Sequence, residues 1–241
     1  MAIKPHSLKS RVPASDGSDK LLRAEAYEEL KRRILQGETP PGSFLSERGL
    51  VRDLGMSKTP IRMALERLEA EGLVRISPSQ GIVVSVQTMY ELVDVMDMRD
   101  VIEGHIVRNL AGRLTDSEQR QLQAQLAAQH EAAEKQDVDR GIELDVEFHL
   151  MLADFVGNQE LNRIMRQLQD KTTRAVIQVL RYNSLRLPYS VAEHHGIAEA
   201  IIAGDSEEAV ARMHRHLEYG RSFLVTRGKS ERSVTRHPLP G

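Results

Sequence analysis

Apolar residues recur at helical spacing along most of this chain, and the rhythm is interrupted over one stretch, residues 73–86. A stripe of Leu22, Ala26, Leu30, Ile34 and Leu35 predicts a helix from Leu21 that ends at Gly37, followed by the Thr39-Pro-Pro-Gly42 loop. Behind Ser46, a good N-cap, Leu50, Val51 and Leu54 share the face of a short second helix. Gly55 stands where a helix ending in the left-handed conformation wants glycine. The third helix starts behind Ser57 and carries Pro60 early, where a missing N–H costs little. It sets Ile61, Ala64, Leu65 and Leu68 at i, i+3, i+4, i+7 and stops at Gly72. The period then falls to two: residues 73–77 and 82–86 alternate around the turn at 78–81, which predicts a β-hairpin. Helix, helix–turn–helix and hairpin in that order predict a winged helix-turn-helix over residues 21–86.

After a short linker at Gln87 and Thr88 the period is helical throughout. Helices are expected near 89–113, 116–135, 138–156, 158–184, 189–203 and 205–227, with Thr115 and Asp205 as N-caps and Asp205 with Glu208 resembling a capping box. The chain is therefore read as mainly α, an N-terminal winged helix-turn-helix plus an all-α bundle of about six helices over residues 89–227. Residues 1–20 and 228–241 are polar and aperiodic and are expected to be disordered tails.

Composition narrows this picture. A length of 241 residues suits two modest domains. The absence of cysteine excludes a disulfide framework, a thiolate metal site and a cysteine nucleophile. No apolar run reaches the length of a membrane span and the N-terminus lacks a signal peptide's apolar core, so a cytoplasmic protein with no membrane partner is expected. A net charge of −2 is not that of a generic polyanion binder. The charge is uneven, however: 14 Lys/Arg against 11 Asp/Glu up to Val86, and 19 against 24 afterwards. The positive bias falls on the half that carries the helix–turn–helix, as attraction to phosphate favours.

Two constellations carry chemistry. Lys58, Thr59 and Arg62 lie on the polar face near the start of the third helix, the end that a recognition helix points into a major groove; ordinary solvated charges are the bland alternative. Arg32 and Arg33 on the first helix are either phosphate contacts or a solvated face. In the bundle, Asp145 and His149 sit i, i+4 within the stripe Ile142, Leu152, Val156. His194 shares a face with Val191, Ile197, Ala198 and Ile201, and His216 with Ala209, Met213, Gly220 and Leu224. One carboxylate and three imidazoles thus point inward. Either each is a hydrogen-bonded core residue, or one divalent metal satisfies all four.

The run PGSFLSERGLVRDLGMSKTPIRMALERLEAEGLV, preceded by a helix ending in ILQGETP, resembles the GntR family of bacterial transcription regulators almost position by position. Lys58 departs from the family, which most often has Arg there; a point charge in place of a two-pronged donor relaxes base preference. The helical part resembles the FCD domain of the FadR-type branch, whose metal-binding members carry Asp-x-x-x-His on one helix and single histidines on the last two. Asp145-Val-Glu-Phe-His149 matches the first motif. Glu193-His194-His195-Gly-Ile197 matches E-H-x-x-I and chooses His194 over His195. Met213-His214-Arg215-His216-Leu217 matches M-x-x-H-L and chooses His216 over His214. His105 and His130 have no such support. The likeness spans about residues 27–223, and six helices look more like the shorter group of this branch than its acyl-CoA-responsive type.

The resemblance implies a homodimeric, ligand-responsive DNA-binding regulator, more often a repressor, that reads a short inverted repeat in double-stranded DNA. Arg62 and Lys58 would lie at base edges, Arg48 would be a further DNA contact, and Thr59, Gln80 and Gly81 would touch phosphate or the minor groove. Zinc suits a three-His, one-carboxylate site, and nickel, manganese and iron fit the same donors. A small organic acid effector would take an open coordination position, with Arg99 and Arg174 as candidate partners for its charge. An internal ion pair, for instance Arg99 with Glu103, is the stronger reading of those arginines. Two other functions are consistent with the same residues: a metalloenzyme, for which no HExxH base motif is present, and an effector-independent DNA-binding factor whose metal is structural.

Overall fold

The structure, a computed structural model, describes residues 16–77 and 81–235. Two compact units divide between Val86 and Gln87.

In the first unit, α1 (Asp16–Leu35) precedes β1 (Phe44–Leu45), α2 (Glu47–Leu54), α3 (Lys58–Ala70), β2 (Val74–Ser77) and β3 (Gly81–Val84). The strands form an antiparallel sheet in the order β1-β3-β2, with Val74 opposite Val84 and Phe44 opposite Val83. Ser46 caps α2 by accepting from the Gly49 N–H, and Gly55 closes it at a φ of +64°. Ser57 occupies the N-cap position of α3, but its side chain makes no capping bond. Pro60 lies in the first turn of α3, inside the stretch of N–H groups that have no helical partner. Leu30, Leu50, Ile61, Leu65, Leu68, Leu73 and Val84 form the core. Tyr27, absent from the apolar stripe read in the sequence, is buried with them. Its hydroxyl donates to the Glu71 carboxylate at 2.7 Å and accepts from Lys31 Nζ at 2.7 Å, while the Arg67 guanidinium lies 3.5 Å over its ring. Burial is the main reason that the phenol's pKa is pushed up to about 12. This clasp ties α1 to the end of α3 and so fixes the helix that faces outward.

The second unit contains α4 (Met89–Leu110), α5 (Asp116–Glu134), α6 (Val138–Val156), α7 (Gln159–Tyr182), a 3-10 turn at Ser184–Arg186, α8 (Leu187–Ala203) and α9 (Ser206–Thr235). Helix α4 packs on α9, α6 and α7, while α8 packs between α5 and α9. Leu92, Ile106, Leu122, Phe148, Leu152, Ile197, Ile201, Met213 and Leu217 meet in the core. Thr88 with Glu91 and Thr115 with Glu118 make reciprocal capping boxes, and Asp205 accepts from the Glu208 N–H. Gly112, at a φ of +69°, donates its N–H to the Ile201 carbonyl; a Cβ there would stand 3.3 Å from the Gly204 Cα. Two loops can therefore touch only through glycine.

Helix ends are where sequence and structure differ. Residues 16–20 and 228–235, expected as tails, are helical. Those polar segments carry no apolar period from which a boundary could be read. Helix α8 begins at Leu187 rather than 189, because Pro188 is accommodated in its first turn instead of interrupting the chain. Among the described residues, no helix is long and apolar enough to cross a membrane.

Candidate metal centre and nucleic-acid interface

Asp145 and His149 emerge one turn apart from α6, His194 comes from α8 and His216 from α9. All four are buried, and one ligand atom from each lies within 4.8 Å of the others. His194 Nε2 stands 3.2 Å from His216 Nε2 and 3.7 Å from Asp145 Oδ1. His149 Nε2 stands 4.0 Å from Asp145 Oδ2, and neither of those two buried atoms makes a hydrogen bond. Metal–imidazole bonds of about 2.0–2.1 Å arranged tetrahedrally separate two ligating nitrogens by about 3.3 Å. The His194–His216 spacing and the orphaned Asp145 and His149 atoms both fit a divalent cation at this point.

The opposite edge of each imidazole is also held. His149 Nδ1 lies in close ion-pair contact with Glu103, whose other oxygen accepts from Arg99 Nε at 2.6 Å. His194 Nδ1 is 2.7 Å from Gln129 Oε1, and the Phe148 ring stacks on the imidazole at 4.2 Å. His216 Nδ1 is 2.8 Å from Glu193, which is paired in turn with Arg186. Every imidazole therefore has an oxygen behind Nδ1, as metal-binding histidines usually do. Burial is the main cause that lowers the pKa of His149, and it lowers that of His194 far more, so both are held neutral. Burial alone would raise Glu103; the Arg99 charge, with the contact from His149, outweighs it and holds this carboxyl at about 2.

A cavity of about 40 Å³ adjoins the cluster and is lined by Asp145, His216, Ser190, Arg99, Arg186 and Tyr219, among others. Arg99 Nη2 is buried and makes no hydrogen bond. The expected Arg99–Glu103 ion pair is thus present, and it leaves one guanidinium nitrogen unengaged. Arg174 is not among the cavity's lining residues. Helix α7 turns Ala175, Val176, Val179 and Leu180 to that cavity, and Arg174, off this stripe, hydrogen-bonds Gln87 at 3.2 Å. His195 and His214 are exposed, and His214 pairs with Asp100.

On the first unit, Arg48, Lys58, Thr59 and Arg62 are all exposed, on α2 and at the start of α3. Lys58 Nζ is 3.1 Å from Glu47 and Arg62 Nε is 3.1 Å from Glu66. Exposed pairs of this kind contribute at most about 1 kcal/mol, so phosphate or a base edge can displace the carboxylates. Gly81 is exposed at a φ of +82°, and Gln80 lies outside the described residues. Arg32 is paired with Glu29 and Glu38, and Arg33 with Glu29, which satisfies both without DNA.

The sequence does not single out Gln125, Gln129 or Arg186, and it brings in Glu103 only as a partner of Arg99 and Glu193 only within the motif that holds His194. Signals existed for some: Gln125 and Gln129 interrupt the buried face of α5 at i, i+4 spacing, and Glu193 directly precedes His194.

Residues 22–84 match the family model for bacterial regulatory proteins of the gntR family, and residues 94–219 match that of the FCD domain. The chain is 27% identical over 195 residues to the HTH-type transcriptional repressor RspR of Escherichia coli, covering 80% of this chain and 85% of the relative. It is 28% identical to the Nta operon transcriptional regulator of Aminobacter aminovorans, covering 82% and 92%. In fold it is similar to E. coli McbR/YncC, with a TM-score of 0.73, 24% identity and coverage of 86% and 98%. A putative GntR regulator from Rhodococcus gives a TM-score of 0.72 at 22% identity, with coverage of 85% and 97%.

Proposed function

We propose, from the premise that this chain belongs to the GntR family of transcription regulators and carries an FCD domain, that it is a homodimeric repressor whose operator affinity is set by a divalent metal and a small organic acid. It is a regulator rather than an enzyme, as the relatives it matches are. The observation that carries the finer reading is the buried Asp145, His149, His194 and His216 cluster beside a cavity lined by Arg99, one of whose guanidinium nitrogens makes no hydrogen bond.

The chain's own residues assign the parts. Three imidazoles and the Asp145 carboxylate converge on one point, and zinc is the occupant their chemistry suits best, with nickel, manganese or iron able to use the same donors. A bound divalent cation would supply positive charge and open coordination positions to a carboxylate. Arg99 supplies a second cationic contact from the cavity wall, and Ser190 a hydroxyl, so a compact anion is favoured over an extended or neutral molecule. Arg186 lines the same cavity and reaches His216 through Glu193. An anion seated there contacts residues from α4, α6, α8 and α9. It therefore favours whichever arrangement of these helices contacts it best, and operator affinity shifts by that differential binding energy.

For DNA, the exposed start of α3 supports Arg62 and Lys58 at base edges, with Arg48, Thr59 and the wing residues Gln80 and Gly81 on phosphate or the minor groove. One recognition helix per chain suits a two-fold dimer on an inverted repeat. Selection of bound sequences from random duplex DNA, followed by a salt titration, tests this. The expected result is an enriched inverted repeat; binding without enrichment that falls steeply with salt would instead mark a non-specific factor.

A further inference from the structure

The three imidazoles of the cluster are not held alike. Behind His149 and His216 stand carboxylates, Glu103 and Glu193, each paired with an arginine. Behind His194 stands an amide. Gln129 Oε1 lies 2.7 Å from His194 Nδ1, Gln129 Nε2 donates to Gln125 Oε1 at 2.5 Å, and Gln125 Nε2 donates to the Leu144 carbonyl at 2.7 Å. Both glutamines are buried.

The end of this chain dictates its direction. A backbone carbonyl can only accept, so Gln125 must turn its NH2 to Leu144 and its oxygen to Gln129. That oxygen can only accept, so Gln129 must turn its NH2 to Gln125 and its own oxygen to His194. An amide oxygen cannot donate, so the proton of a neutral His194 must sit on Nδ1. The Nε2 lone pair is then left facing His216 Nε2 at 3.2 Å and Asp145. Leu144 immediately precedes Asp145 on α6, so the chain that sets the His194 tautomer is anchored next to another ligand. Phe148, stacked 4.2 Å away, holds the ring plane.

We infer that Gln129, oriented by Gln125 and the Leu144 carbonyl, is a positioning residue that fixes His194 in its metal-ligating Nδ1–H tautomer through an uncharged acceptor. This rests on the metal reading for its purpose but not for its geometry, which is present in the chain alone. An amide raises the basicity of its imidazole less than a carboxylate does, so His194 is the weakest of the three nitrogen donors.

The test uses the full-length chain with three variants. Gln129→Leu removes the acceptor, Gln129→Glu retains one, and Gln125→Met leaves Gln129 in place but frees its amide to rotate. Two quantities are measured: the tautomer of His194 from imidazole ¹⁵N shifts in metal-stripped protein, and zinc affinity by competition with a chromophoric chelator. Wild type is expected to show Nδ1–H at His194. Gln129→Leu should lose that signature and bind zinc about 10–100-fold more weakly. Gln129→Glu should restore both, and Gln125→Met, which touches no ligand, should show mixed tautomers and an intermediate affinity. Nδ1–H retained at His194 in both Gln129→Leu and Gln125→Met, with unchanged zinc affinity, would overturn the inference. So would an Nε2–H tautomer in the wild type. Wild-type protein that shows the expected tautomer but binds no zinc, nickel, manganese or iron would defeat the metal reading and leave the tautomer assignment standing.

Discussion

Replacing His194 and His216 together with leucine removes two of the four converging donors while roughly keeping side-chain volume, so the variant isolates ligation from cavity formation. In the wild type, a metal that binds the folded chain and not the unfolded one adds about 2.7 kcal/mol of stability at a free concentration of one hundred times its Kd. For a domain of this size each kcal/mol moves the midpoint by about 2–4 °C, so stripping the metal should lower Tm by roughly 5–11 °C. The variant leaves Gln129 Oε1 without its imidazole partner, a loss of about 1–3 kcal/mol that lowers its baseline. The diagnostic quantity is therefore the difference between metal-loaded and stripped protein, read by scanning calorimetry on dialysed samples. That difference should vanish in His194→Leu/His216→Leu and persist in His195→Ala and His214→Ala, whose side chains are exposed. An equal metal-dependent shift in the double variant would refute the ligand assignment, and no shift in the wild type with any of the four metals would refute the site.

Arg62→Ala should weaken specific operator binding by roughly 1–3 kcal/mol, measured by fluorescence anisotropy at fixed salt; an unchanged affinity would remove Arg62 from the base-reading face. Metal-stripped protein should be less stable in mild acid. His149 and His194 have folded pKa values depressed below 6.5, so the unfolded chain binds more protons, and stability present above about pH 6.5 is lost as pH falls below it. Glu103, held at about 2 against 4.5, contributes stability that is lost only between those two values. Urea denaturation from pH 8 to pH 5 separates the two windows, and a flat midpoint across it would contradict the burial argument.

Legibility in the sequence followed the range of the interactions. Ser46, Gly55, Pro60 and Gly72 act within a few residues, so the helix–turn–helix and hairpin could be read from local pattern. His194 and His216 could be chosen over His195 and His214 because helical phase depends only on spacing along one helix. Tyr27 escaped because its burial depends on Glu71, 44 residues away, which gives its hydroxyl a partner. Gln129 escaped because α5 meets α8 across 65 residues, and nothing in either helix alone states which faces the other. Arg99 and Arg174 are alike as candidates in the sequence, yet only Arg99 lines the cavity, which lies against the stripe of α7 adjoining Arg174; which stripe of a helix meets a cavity is set by its packing partners and not by its own sequence.

Operator affinity under ligand control exposes the metal-dependent switch most directly. Duplexes enriched by selection would be titrated with metal-stripped protein, metal-loaded protein, and metal-loaded protein saturated with each of a panel of small carboxylic acids. At least one acid is expected to change affinity by about 5–150-fold, corresponding to about 1–3 kcal/mol of coupling, and to do so only when the metal is present. One affinity across all of these states would contradict it, leaving a GntR-family DNA-binding protein whose buried histidines serve the bundle alone.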